Sequence, residues 1–170
     1  GEVPVMEILA LLRSVPDATV EGPDRRYDRF RFQVRLPGEL VRLEFVRYPF
    51  PAVGTREATE EGLRLDDPAD IAANKVLAII ERREGKDLVD LWKLAGHGGA
   101  SALRSAIGDA ERKFGVRGLR YGLQGALVAA AGAAPPRLHE PGDFDVARTW
   151  AREAARQLAR ESLDDDQDKG

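Results

Sequence analysis

The residues able to do chemistry gather in two stretches, a strand around Glu44 and a charged run from Lys75 to Asp90. Lys75 and Arg82 are seven apart and share one line of a helix, between Ile71, Ala78 and Ile79. Cations on a largely apolar helix need partners, because an unpaired buried charge is costly. Phosphates of a ligand would serve, and so would carboxylates of the protein. Asp87 and Asp90 are three apart and Lys86 and Asp90 four apart, so these side chains can converge on one helical face. They could form a site, or only surface ion pairs worth ~0.3 kcal/mol each. Glu44 lies between Leu43 and Phe45 of an alternating run and projects from the opposite face. It could be a metal-binding or base carboxylate, or it could pair with Arg31 or Arg42 across a hairpin.

The elements that would hold these groups follow from local pattern. Asp67 can cap a helix, Pro68 suits its first position, and Asp70 adds negative charge to its first turn. The helix is expected to run to Glu84, with Asn74 and Glu81 as its solvent strip. Gly85 interrupts it. Residues 86–95 read as a second amphipathic helix with Leu88, Val89, Leu91, Trp92 and Ala95 inward, and Gly96-His97-Gly98-Gly99 as a flexible connector. Upstream, residues 3–13 read as a short helix. Thr19-Val20-Glu21 could start a sheet before a Gly22-Pro23-Asp24 turn. Residues 29–36 and 41–48 alternate cleanly around Pro37-Gly38 and form an antiparallel hairpin. Gly62-Leu63-Arg64-Leu65 suggests one more short strand. Downstream, helices are expected over 100–114, 119–131 and 144–160, with 162–170 a disordered acidic tail. The fold class is α+β, a small antiparallel sheet followed by a C-terminal helical bundle.

Composition narrows the functions. A chain of 170 residues with 43% hydrophobic content can bury a real core. The net charge of -3 argues against a broad electrostatic nucleic-acid binder but permits a local basic groove. The absence of cysteine excludes disulfides and thiolate chemistry. His97 and His139, far apart, do not suggest a histidine metal site, and neither has an adjacent nucleophile. No apolar run reaches the ~20 residues of a membrane span. Cytoplasm is the default location.

In order along the chain come Leu40-Val41-Arg42-Leu43-Glu44-Phe45-Val46-Arg47-Tyr48-Pro49, Gly62-Leu63-Arg64-Leu65, Asp70-Ile71-Ala72-Ala73-Asn74-Lys75, and Glu81-Arg82-Arg83-Glu84-Gly85-Lys86-Asp87-Leu88-Val89-Asp90-Leu91. This run resembles the AbiEii/AbiGii toxin family of nucleotidyltransferases. The specific part of the likeness covers about residues 1–95, and its distinctive portion is lysine, then arginine, then Lys-Asp-x-x-Asp-Leu. The resemblance implies a nucleotidyltransferase fold, with residues 1–66 as its partial sheet region and 67–161 as a helical region. It further implies magnesium-dependent transfer of a nucleotide from a nucleoside triphosphate to an acceptor such as tRNA, and a cognate antitoxin as partner. By the same resemblance Glu44, Lys75, Asp87 and Asp90 are catalytic, Lys75, Arg82 and Lys86 bind the nucleotide, and Glu44 binds metal. The family's Gly-Ser turn with its Asp-x-Asp pair has no counterpart among these residues. The expectation is therefore a truncated or incomplete copy. The alternative is a catalytically inactive module that binds a nucleotide or an antitoxin protein.

Overall fold

The structure, a computed structural model, describes residues 2–138, 140 and 142–167, with side chains to residue 163. It divides into two compact units, 1–49 and 50–170, so residues 50–66 group with the helices rather than with the sheet as expected. His139 and residues 168–170 of the expected tail lie outside the described residues.

The first unit is one helix, α1 (Val5–Arg13), and a three-stranded antiparallel meander: β1 (Thr19–Arg26), β2 (Arg29–Leu36) and β3 (Glu39–Val46). Alternation does its expected work in β2, where Phe32 and Val34 are buried and Arg29 and Arg35 are exposed. Phe32 stands edge-on to Phe45 of β3, with ring centroids 5.8 Å apart. Gly38 takes φ +89° in the turn between β2 and β3. The expected turn at Gly22-Pro23 is instead an irregularity inside β1, where pairing with β2 shifts between Glu21 and Asp24. Gly22 suits that spot, since a Cβ there would sit 2.7 Å from the Arg31 carbonyl. The chain reverses at Tyr27–Asp28.

The second unit opens with a two-residue hairpin, β4 (Glu57–Ala58) against β5 (Arg64–Leu65). Helices follow: α2 (Pro68–Arg82), α3 (Gly85–Leu91), a π-helical turn over Trp92–Gly96, α4 (Gly99–Phe114), α5 (Leu119–Gly132) and α6 (Asp143–Gln167). The cap expected at Asp67 is present, its side chain accepting from the Ala69 N–H at 2.8 Å. α2 ends at Arg82, two residues before the expected Glu84, because Arg83 turns left-handed at φ 56°. Gly85 does more than interrupt. A Cβ there would meet the Phe144 ring at 2.8 Å, so only glycine lets α6 pack this close. The expected connector at 96–99 shrinks to a turn at His97-Gly98, with Gly96 closing the π turn and Gly99 starting α4.

The core of this unit is built from alanines and aliphatics of every helix, among them Ala73, Val76 and Ile79 of α2, Leu88 and Leu91 of α3, Leu123 and Leu127 of α5, and Ala147 and Ala151 of α6. Trp92, expected in the core, is only partly buried and packs against it. α6 continues to Gln167, past the point where a tail is expected. Ser162 anchors that end: it is buried, and its hydroxyl donates to the Leu158 carbonyl at 2.9 Å and accepts from Gln124 Nε2 at 2.9 Å.

Candidate functional site

The turn between α2 and α3 assembles the charged run. Lys75 projects from the middle of α2, and its Nζ reaches Asp87 Oδ1 at 2.8 Å and Asp90 Oδ2 at 2.7 Å on α3. Two helical turns on, Arg82 places Nη2 2.8 Å from the other oxygen of Asp87. That N–H is not aligned on the oxygen, so the contact is an ion pair without a hydrogen bond. Asp87 is fully buried, so its charge depends on these two cations. The other members face water: Lys75 is 23% exposed, Arg82 48% and Asp90 47%.

Spacing explains which groups meet. Asp87 and Asp90, three apart on α3, turn the same face toward α2, whereas Lys86 lies about a hundred degrees round the helix from Asp87. Lys86 accordingly pairs with Glu84 at 3.1 Å and does not join Lys75. Burial on its own would lower the pKa of Lys75, but hydrogen bonds to Asp87 and Asp90 outweigh it and hold the ammonium above its ordinary value. Of the two kinds of partner left open for Lys75 and Arg82, ligand phosphates or protein carboxylates, the protein supplies carboxylates. Arg82 and the edge of Lys75 still reach solvent, whereas Lys86 is engaged by Glu84.

A second charged group was not legible from spacing. Asp70, in the first turn of α2, is fully buried and accepts from the Val53 and Gly54 N–H groups at 3.0 and 3.1 Å and from Lys113 of α4. Burial pushes its carboxyl up, yet Lys113 and the two N–H groups prevail and hold it below its usual range. The pair spans 43 residues, and Lys113 sits in a charged run, Asp109-Ala110-Glu111-Arg112-Lys113, that gives no local sign of its burial. It closes the loop before α2 onto the helices.

Glu44 occupies the first unit, directly across from Arg31 in the β2–β3 register. One of its oxygens is 2.8 Å from Arg31 and the other 3.1 Å from Arg29. The expected cross-strand pairing with Arg31 is present, with Arg29 rather than Arg42 as the second partner. Among the described residues no group of three or more His, Asp or Glu side chains could hold a metal ion. The donor set described here therefore does not fit a magnesium site, since a hard divalent cation needs several oxygen ligands together. Among the described residues no helix is long and apolar enough to cross a membrane.

Comparison with known proteins bears on this arrangement. No curated protein and no solved structure matches the chain. A family model does, described as nucleotidyl transferase AbiEii toxin of a type IV toxin–antitoxin system, over residues 8–169. The match reaches well past residue 95, where the distinctive motifs stop, and takes in α4, α5 and α6. The chain belongs to the AbiEii nucleotidyl transferase toxin family.

Proposed function

We propose that the turn between α2 and α3 is the triphosphate-handling part of a toxin that transfers a nucleotide from a nucleoside triphosphate to an acceptor such as tRNA. One observation carries this reading. A buried carboxylate, Asp87, holds Lys75 and Arg82 side by side at the rim of the turn, where both cations reach solvent beside the half-exposed Asp90. Fixed cations at this rim suit charge that builds on a leaving pyrophosphate. Asp87 positions the cations, and Asp90, half exposed, is the carboxylate able to approach an acceptor hydroxyl. In the transfer that hydroxyl oxygen bonds to the α-phosphorus, its proton passes to a base, and the bond to the pyrophosphate breaks.

A second reading has its own support. Both oxygens of Glu44 are engaged by arginines, and the 170 residues contain no Asp-x-Asp pair beside a Gly-Ser turn. Glu44 would need further carboxylates to bind magnesium. On this reading the chain binds nucleotide, or an antitoxin, without turnover. Incubation with magnesium, α-labelled nucleoside triphosphates and tRNA separates the two. The transferase reading expects labelled RNA that disappears with Asp87→Ala and Lys75→Ala. Labelling that persists in both variants would sink the site assignment, and no label from the native chain would favour binding without turnover.

A further inference from the structure

We propose that the α5–α6 face is a platform for single-stranded RNA, on which Arg152 and Arg156 neutralise phosphates beside a stacking surface at Tyr121. The inference deepens the proposed reading by giving the acceptor a binding surface, and it rests on that acceptor being RNA.

Arg148, Arg152, Arg156 and Arg160 recur every fourth residue along α6, so they climb the helix as one stripe. Arg148 is engaged by Asp145 at 3.4 Å and lies 5.5 Å from the centre of the Phe144 ring. Arg152 and Arg156 are exposed, and among the residues whose side chains are described no carboxylate pairs with them. The acids nearby are committed or turned aside. Glu161 takes Arg104 at 2.7 Å and Gln157 at 3.1 Å, while Glu153, one turn before Arg156, makes no ion pair with it. Like charges one turn apart repel, so the stripe carries a cost that an anion would relieve.

The shape beside the stripe suits a nucleic-acid strand. Arg152, Ala155, Arg156 and Ala159 form one wall of a cleft of about 480 Å³, and α5 supplies the other with Gln124, Gly125 and Val128. Space is open where a Cβ on Gly125 would stand, so a backbone can come close. One turn back along α5, Tyr121 is 49% exposed. The Arg120 guanidinium lies 4.7 Å from its ring centre and donates to its hydroxyl at 2.8 Å. This Arg–Tyr pair lines a second cleft with Arg104 and Leu158, where Glu161 is taken by Arg104 and Glu111 accepts from the Leu119 N–H. Cations that track a backbone, together with an aromatic surface that accepts any base, make up the chemistry of single-strand binding. An apolar partner is less well served, because Val128 is the sole large aliphatic in the first cleft.

The test is fluorescence anisotropy of the 170-residue chain with a labelled hairpin RNA carrying a single-stranded 3′ end, across a salt series. Arg152→Gln with Arg156→Gln is expected to weaken binding about tenfold or more and to flatten the log–log salt slope by about 0.7 per arginine. A charge-matched pair on the first unit, Arg13→Gln with Arg35→Gln, should leave affinity within about twofold of native, since salt-dependent losses follow phosphate contacts rather than net charge. Lys75→Met should bind RNA normally, and the Arg152/Arg156 variant should bind nucleotide normally, which separates this inference from the triphosphate site. Helical circular dichroism confirms that each variant is folded. Equal losses from both arginine pairs, no RNA binding by the native chain, or equally tight binding of a polyglutamate peptide would overturn the proposal.

Discussion

Two ionic clusters lie within a few turns of each other in the helical unit, and they are built in opposite ways. The Asp70–Lys113 pair has both side chains fully out of water, and two backbone N–H groups complete the carboxylate's coordination. The Lys75–Asp87–Asp90–Arg82 cluster has one fully buried member and three that reach solvent. The closed pair can only hold the fold, because nothing outside can reach it. The open one holds its cations in place by their inner ends while their outer ends remain available. Position along α2 sets this difference: Asp70 falls where α4 and the loop at 53–54 cover the helix, and Lys75 falls opposite the short α3, which leaves its edge in water.

The comparison breaks most clearly at the closed pair. Lys113→Met leaves a carboxylate buried without its cation and is expected to cost about 3–5 kcal/mol in urea unfolding. Acid should act on the same group. Because the Asp70 carboxyl is held below its usual range, its contribution is fully present above an unfolded-chain value of about 3.9 and is lost as pH falls through its folded value. Asp70→Asn should therefore flatten the acid limb of the stability profile. A native acid limb unchanged in that variant would remove Asp70 from this role.

Lys75→Met should cost less, about 1–3 kcal/mol, because Asp87 keeps Arg82 and Asp90 is half solvated. Here the sign of the pH dependence reverses. With its pKa raised, Lys75 contributes fully below about pH 10.4 and loses that contribution as pH rises through its folded value. An alkaline limb present in the native chain and absent in Lys75→Met is the expected result. Equal losses from Lys75→Met and Lys113→Met would erase the distinction between the clusters.

The smallest effect is expected at Glu44, whose two arginine partners are substantially exposed. Glu44→Gln should change the stability of the first unit by no more than about 1 kcal/mol, since solvent screens such pairs. A larger loss by thermal unfolding would mean that the sheet depends on this carboxylate more than its exposure suggests.

These contrasts show what local pattern can carry. The Asp67 cap, the hairpin with its Phe32 and Val34 face, and the need of Lys75 and Arg82 for anionic partners all follow from neighbours within a few residues. So does the α2–α3 cluster, because Asp87 and Asp90 follow Lys75 after a single short turn. The Asp70–Lys113 pair does not, since helical periodicity marks a buried face without saying which helix covers it. The β4–β5 hairpin is missed at its first strand because two residues are too few to alternate. The helical register at Trp92–Gly96 escapes for a different reason: a π turn shifts the repeat by one residue, and no residue type signals it. The arginines of α6 are visible in the sequence as a repeat of four. That Arg152 and Arg156 have no acidic partner among the residues whose side chains are described appears only when the helices are packed.

The central claim is that the open cluster receives a triphosphate. Isothermal titration of the 170-residue chain with each nucleoside triphosphate and magnesium tests it most directly. The account predicts a binding heat for at least one nucleotide, and a loss of about tenfold or more in affinity, about 1.4 kcal/mol, in both Lys75→Met and Arg82→Ala. No heat with any nucleotide, or native affinity in both variants, would contradict it.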